Sequence, residues 1–186
     1  MGITRTFYAP DRAAWRGWLE QHYRTEPDIW LVTYRKAAGR PSVGYNDAVE
    51  EALCFGWIDS TRKSLDDERL AQRFTPRRPG SPYSQPNRER LRRMLERGAV
   101  AEDVLPEART VVEAPFIAPA DILDALQSDP VGWTHFQRYS DAYRRIRIAY
   151  VESTRDRPDE FRKRLDNLIR KNAANHQFGY GIETYY

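Results

Sequence analysis

The sequence predicts an α+β fold: a small antiparallel sheet with helices in the N-terminal part, and a helical C-terminal part packed against it. Three observations support this prediction. Strand-like runs of β-branched and aromatic residues lie before residue 76, apolar residues recur every three or four positions around those runs, and the chain beyond residue 120 has only helical periodicity. With 186 residues, the chain can bury a substantial core.

The first helix and the first strand are predicted within the first 36 residues. Asp11 is a suitable N-cap for a helix that continues to about Tyr23, because apolar residues recur along it at helical spacing. This apolar stripe, predicted to face the core, consists of Trp15, Trp18, Leu19, His22 and Tyr23. Pro27 interrupts the pattern, and residues 28–36 are rich enough in β-branched and aromatic side chains to form a strand.

A second helix and a β-hairpin are predicted next. Apolar residues share one face of residues 45–54, which places Asn46, Asp47, Glu50 and Glu51 on the face predicted to meet water. Gly56 ends this helix. Residues 57–64 and 70–75 then have strand character, and the charged residues 65–69 are predicted to form the turn between them.

A proline-rich loop over residues 76–87 leads into a third helix. Ser84 is its predicted N-cap, and Gly98 suits the position just after its C-terminus. Three prolines make residues 100–119 the predicted linker. Beyond it, helices are predicted over residues 121–127 and 130–138, after Ser140 and from Pro158.

These elements predict three segments. Residues 1–105 form an α+β domain, residues 116–174 a helical subdomain, and residues 175–186 an aromatic tail. The tail has four aromatic residues among glycines and no periodicity, so it either packs back on the body or serves as an interaction segment.

The first predicted functional feature is a pocket wall on the strand after Gly56. In a regular strand, Trp57, Asp59, Thr61 and Lys63 share one face. A carboxylate beside a tryptophan and near a lysine suits a polar pocket, so Asp59 is the candidate general base. The alternative is a solvated ion pair on a half-exposed sheet.

The second predicted feature is an anion site formed by the facing strand and the loop after it. Guanidinium groups, hydroxyls and an amide occur within about fifteen residues there, and such groups bind carboxylate or phosphate. The candidate ligand-binding residues are Trp57, Lys63, Arg73, Arg77, Ser81, Tyr83, Ser84 and Asn87. The alternative is that the arginines anchor the proline-rich loop and Ser84 is only a helix cap.

Arginine-rich helices predict a different function, namely docking to nucleic acid, an acidic protein or anionic lipid. One such helix contains Arg88, Arg90, Arg92, Arg93 and Arg97. Acidic residues interrupt each cluster, as is typical of a solvated helix, and the net charge is only +3. A small anionic or polar molecule is therefore the favoured partner, and nucleic acid the less favoured one.

Several other classes of site have no signal in the sequence. The three histidines are far apart and no metal-ligand spacing or phosphate-binding glycine loop occurs, so no metal or cofactor is predicted. Cys54, the single cysteine, is predicted to be a buried small hydrophobe. With no disulfide, no signal pattern and no run near the roughly 20 apolar residues of a membrane span, the protein is expected to be cytoplasmic.

Residues 45–60 (YNDAVEEALCFGWIDS), 73–77 (RFTPR), 81–84 (SPYS) and Asn87 resemble the bacterial YdeI/OmpD-associated family, also described as bacteriocin-protection proteins. The resemblance extends over nearly the whole chain and is most distinctive in the first half. It departs from the usual family pattern at Tyr83 and in residues 99–106. It implies a role in tolerance of antimicrobial peptides or envelope stress. It supplies no catalytic residue, so it does not decide between an enzyme and a binding protein, and the oligomeric state stays open.

Overall fold

The computed structural model describes residues 2–3 and 5–179, and the chain forms two compact units, Met1–Glu113 and Ala114–Tyr186. The α+β prediction is confirmed. The elements of the first unit are β1 (Thr6–Tyr8), α1 (Arg12–His22), β2 (Ile29–Tyr34), a short 3-10 turn (Lys36–Ala38), α2 (Tyr45–Cys54), β3 (Trp57–Ser64), β4 (Arg69–Pro76), α3 (Gln85–Glu96) and α4 (Leu105–Glu113).

The sheet has the strand order β1-β2-β4-β3 and is mixed. β2 pairs antiparallel with β4, and β4 pairs antiparallel with β3, as the hairpin prediction requires. The prediction of a purely antiparallel sheet is wrong at one edge, where β1 runs parallel to β2 with Phe7 opposite Leu31. Three residues are too few to show a strand pattern, and α1 provides the crossover that a parallel pair needs.

The core of the first unit lies between the helices and one face of the sheet. Asp11 caps α1 as predicted, its Oδ1 accepting from the Ala14 N–H at 2.8 Å. Trp15 and Leu19 are fully buried, and the Trp15 ring lies 5.1 Å from the Phe74 ring of β4. The Trp15 indole also donates to the Ala48 carbonyl at 2.9 Å, which satisfies its only polar group. Helix α1 is therefore fixed to both α2 and the sheet.

Two acids of α2 are buried, although the helical pattern predicted that they face water. Glu50 and Glu51 are each 3% exposed. The Arg12 guanidinium donates to both carboxylates, and the Arg16 Nη1 donates to Glu51 Oε2 at 2.8 Å. The prediction fails because α2 has a charged neighbour, α1, on the side where a lone amphipathic helix would meet solvent. Burial of these acids is tolerated because each is paired and hydrogen-bonded.

The predicted linker over residues 100–119 contains a helix instead, α4, which begins at Leu105. Ala108 and Val112 of this helix are buried in the core of the first unit. Pro106 does not prevent the helix, because proline is tolerated in the first turn, where its missing N–H would have no partner. Residue 114 begins the second unit.

The second unit is helical, as predicted: α5 (Ala120–Gln127), α6 (Pro130–Arg138), α7 (Asp141–Glu152) and α8 (Pro158–Ala173). Ser140 caps α7 by accepting from the Tyr143 N–H at 3.1 Å. The core of this unit is built on Ile122, Phe136, Tyr143, Val151 and Leu168. Most of the predicted aromatic tail lies outside the described residues. Phe178, which is described, packs on this core and its N–H donates to the Tyr143 hydroxyl.

Candidate functional site

A cavity of about 400 Å³ lies on the helix-facing side of the sheet, beside the N-terminus of α2. Its walls come from β2, β3, β4, the loop over residues 35–44 and the first turn of α2. Its apolar lining consists of Leu31, Val43, Ala48, Leu70 and Phe74. The size is within the range of pockets that hold small molecules, about 300–1,000 Å³. We call this space the α2 cavity.

The loop that closes one side of the α2 cavity is held by three hydrogen bonds. The Tyr34 N–H donates to Ser42 Oγ at 2.8 Å, the Tyr8 hydroxyl to the Pro41 carbonyl at 2.6 Å, and the Val43 N–H to the Ala9 carbonyl at 3.1 Å. Gly39 has a φ of +63°, a conformation that glycine adopts without steric cost and that reverses the chain. The cavity wall is therefore formed without a ligand.

The charged groups that line the α2 cavity are all cationic: Arg35, Lys36, Arg40 and Arg62. Arg35 donates to Ser64 Oγ at 2.9 Å, and Arg40 donates to the Tyr34 hydroxyl at 2.9 Å while its guanidinium lies 5.0 Å from the Tyr34 ring. These partners are neutral, so they leave the positive charges uncompensated. Like charges in a concave site create a field that attracts anions.

Asp59 lies at the margin of the α2 cavity and contacts two residues that line it. Its Oδ2 accepts from the Tyr45 hydroxyl at 2.9 Å and from Gln72 Nε2 at 3.3 Å. Partial burial of the phenol and the adjacent Asp59 carboxylate raise the pKa of Tyr45 to about 12. Tyr45 therefore remains a protonated hydrogen-bond donor to Asp59 near neutral pH.

The predicted shared face of Asp59 and Lys63 is wrong. A β-bulge shifts the β3–β4 register, with Asp59 opposite Phe74 and Arg62 opposite Gln72. An extra residue in a bulge reverses the alternation of side chains beyond it. Asp59 and Arg62 thus lie on the helix-facing side, whereas Lys63 lies on the other side, with its ammonium 5.4 Å from the Trp30 ring. Periodicity alone could not locate the bulge.

Two further predicted site residues are engaged elsewhere in the first unit. Trp57 is fully buried, and its indole donates to the Tyr23 carbonyl at 3.0 Å. The Arg73 guanidinium pairs with the Asp28 carboxylate, with Nη2 and Oδ2 2.6 Å apart. Neither residue lines the α2 cavity.

The predicted loop residues form a separate cluster, away from the α2 cavity. The Arg77 guanidinium stacks 3.5 Å from the Tyr83 ring centre and donates to Ser81 Oγ at 3.1 Å. The Tyr83 hydroxyl donates to Glu107 at 3.1 Å. Ser84 is the N-cap residue of α3, and Asn87 accepts from Arg90 at 2.7 Å. These contacts anchor the loop, and a ligand role for its residues stays a prediction.

The loop over residues 35–44 contributes cavity residues that were not predicted. Its available signal was a set of cations, Arg35, Lys36 and Arg40, on both sides of Gly39 and just before a helix. Arg35 and Lys36 were instead assigned to the end of the strand predicted over residues 28–36. The contribution of Arg62 depended on the bulge and carried no local signal.

Several arginines of α3 donate hydrogen bonds to other groups of the first unit. Arg90 is 6% exposed and donates to Asn46 at 2.8 Å, and Arg88 and Arg92 donate to the carbonyls of Val111 and Val112. These contacts attach α3 to α2 and α4. Such arginines are poorly placed to neutralise phosphates on an outside partner.

Cys54 is buried as predicted, and burial together with the nearby Glu51 carboxylate raises the pKa of its thiol to about 12. The described residues contain no group of three or more histidine, cysteine, aspartate or glutamate side chains arranged to hold a metal ion. None of the helices within residues 2–3 and 5–179 has the length and apolar composition to cross a membrane.

Two different family models match the chain, and the boundary between their matches lies near residue 113, where the first structural unit ends. Residues 7–107 match the family model described as a domain of unknown function (DUF8412). Residues 115–175 match the model described as bacteriocin-protection, YdeI or OmpD-associated. The predicted family is thus confirmed in the second half, whereas the motifs that suggested it lie mainly in the first. No curated protein and no solved structure matches the chain.

Proposed function

Because the chain belongs to the DUF8412 family and carries a bacteriocin-protection, YdeI or OmpD-associated domain over residues 115–175, we propose that it binds a small anionic or polar ligand and contributes to tolerance of antimicrobial peptides or envelope stress. The single observation that carries the ligand proposal is the α2 cavity, whose charged lining residues are all cationic. The link to stress tolerance rests on the description of the second family.

The α2 cavity supports anion binding through both its shape and its charge. Lys36 and Arg62 form no ion pair within the described part of the chain, so their charges are available to a ligand. A guanidinium such as that of Arg62 can bind a carboxylate or phosphate through two parallel hydrogen bonds. The fixed loop reduces the conformational entropy that a ligand would lose on ordering the site.

Asp59 provides the chemical part of the proposal. Its carboxylate contacts Tyr45 and Gln72, two residues that line the α2 cavity, which supports a role for Asp59 at the ligand; in an enzyme it would act as the general base. Ligand binding by the wild type with turnover lost in Asp59→Asn would support an enzyme. Binding without turnover by the wild type would support a binding protein.

The proposed location is the cytoplasm. Its support is the chemistry of Cys54, a free and buried thiol that forms no internal disulfide, as expected in a reducing compartment.

A thermal-shift comparison tests the ligand proposal. A ligand that binds only the folded state raises the melting temperature by mass action. We expect small carboxylates or phosphates to stabilise the wild type and Arg78→Ala, because Arg78 is exposed and does not line the α2 cavity. The same compounds should lose this effect in Arg62→Ala. Equal stabilisation of both variants, or no stabilisation of the wild type, would reject the proposed site.

The link to stress tolerance is tested in a bacterial host. Cells that produce the wild-type protein should survive a challenge with cationic antimicrobial peptides better than cells with an empty vector. If the α2 cavity is required, Arg62→Ala should lose this protection and Arg78→Ala should keep it. Equal survival of cells with and without the protein would contradict the link.

A further inference from the structure

The α2 cavity combines an apolar floor with cations at its sides. The register of the sheet shows how the apolar and cationic residues are arranged. Leu31 of β2, Gln72 of β4 and Arg62 of β3 form one row across the helix-facing side of the sheet. Side chains directly opposite one another on neighbouring strands are about 5 Å apart. The row therefore changes from apolar to cationic toward the β3 edge.

The next row of the sheet also changes from apolar to charged toward the β3 edge, but the charge at its end is negative. Ile29 and Phe74 are buried and opposite one another, and Asp59 follows on β3 at the edge. Val43 and Ala48 contribute apolar surface from the loop and from α2. The remaining cations, Arg35, Lys36 and Arg40, come from the segment after the end of β2.

From this arrangement we infer that the ligand is an amphipathic anion: a carboxylate or phosphate group joined to an apolar ring or short chain. The inference rests on the proposed function and specifies its ligand class. The apolar part covers Leu70, which is partly exposed in the lining, and the anionic group meets Arg62 or the cations of the loop.

The apolar floor of the α2 cavity disfavours a purely inorganic anion as the ligand. Most of the apolar lining is already buried, but Leu70 is partly exposed, and a small hydrated ion would leave it in contact with water. A neutral apolar molecule would leave the cations without a partner. Only a molecule with both parts uses both surfaces.

Isothermal titration of the full-length protein with four probes tests this inference. Benzoate and hexanoate have both parts, acetate has only the anionic group, and benzamide has the ring without the charge. We expect benzoate or hexanoate to bind at least about tenfold more tightly than acetate and benzamide, since burial of several apolar carbons contributes more than that factor. In Arg62→Ala, the affinity for the better of these two acids should fall by about tenfold or more.

A second variant examines the floor. Leu70→Thr removes apolar surface at the partly exposed part of the lining, so it should weaken benzoate or hexanoate by several-fold without changing the effect of acetate. Its melting temperature shows whether it folds. If it does not fold, the comparison of the four probes on the wild type still decides.

The other outcomes separate this inference from the proposed function. Acetate that binds as tightly as benzoate, with affinity lost in Arg62→Ala, would overturn the amphipathic ligand and retain the anion site. Benzamide that binds as tightly as benzoate would overturn the need for a charge. Binding of none of the four probes would overturn the inference, and the broader thermal-shift comparison with carboxylates and phosphates would then decide the proposed function separately.

Discussion

The Tyr45 hydroxyl at the start of α2 donates a hydrogen bond to the Asp59 carboxylate of β3, with 2.9 Å between the oxygens. This bond joins two residues that are 14 positions apart in the chain, at the edge of the α2 cavity. It also couples a phenol to a charge, which gives the contact a measurable pH dependence.

Stability should decline with rising pH in a way that depends on Tyr45. Its pKa is raised to about 12 in the folded protein, whereas an unfolded tyrosine titrates near pH 10. Between these values the unfolded chain binds fewer protons than the folded one, so stability falls as pH rises. We expect the melting temperature of Tyr45→Phe to fall less than that of the wild type between about pH 9 and about pH 11.

Asp59→Asn provides the matched comparison for the fall in melting temperature at alkaline pH. Removal of the negative charge lowers the pKa of Tyr45, so this variant should also show a shallower decline than the wild type. If all three proteins have the same slope, the Tyr45–Asp59 contact does not control the titration.

Arg62 and Lys63 should respond differently to truncation although they are neighbours in sequence. The bulge places Arg62 at the α2 cavity and Lys63 on the other face, near Trp30. Arg62→Ala should weaken anion binding by about tenfold or more, whereas Lys63→Ala should change it by less than about twofold. Titration of both variants with the same ligand measures this. A loss in Lys63→Ala but not in Arg62→Ala would mean that β3 has the regular alternation without the bulge.

The buried pairing of Glu51 should contribute far more to stability than the exposed pairing of Glu20. Both acids accept from Arg16, but the Glu51 side chain is 4% exposed and that of Glu20 is 52% exposed. Glu51→Ala leaves Arg12 and Arg16 without their shared partner and should cost about 3 kcal/mol. Glu20→Ala should cost less than about 0.5 kcal/mol. Urea unfolding gives both values, and similar costs would contradict the buried network.

Cys54 should be unreactive in the native protein. Its thiol is buried, and burial and Glu51 raise its pKa to about 12, so almost no thiolate exists near neutral pH. We expect a thiol reagent such as dithionitrobenzoate to react only as the protein opens. The same protein in guanidinium chloride serves as the control and should react fully and at once. Rapid labelling under native conditions would indicate an accessible, activated cysteine.

The helices were the most predictable part of this protein, because their signals are local. Asp11 and Ser140 accept from N–H groups three residues later, and Pro130 and Pro158 occupy first-turn positions where proline is tolerated. These interactions lie within one helical turn, so residues that are neighbours in the sequence are enough to identify them.

The candidate site was less predictable. Asp59 was identified as a candidate from the strand pattern, and it lies at the margin of the α2 cavity. Trp57 and Arg73 had equally suitable chemistry in sequence, but the fold uses Trp57 in the core and pairs Arg73 with Asp28. Residue type defines what a side chain can bind, and only its neighbours in space define what it does bind.

The sequence by itself determined the α+β class, the N-caps of α1 and α7 and the burial of Trp15, Leu19 and Cys54, because periodicity and capping depend on residues close along the chain. The tertiary structure decided the parallel pairing of β1, the burial of Glu51 between two arginines, and the bulge that separates Arg62 from Lys63. The reason is that strand register and ion pairing join residues tens of positions apart, and their free energy depends on which groups the fold brings together and which it removes from water.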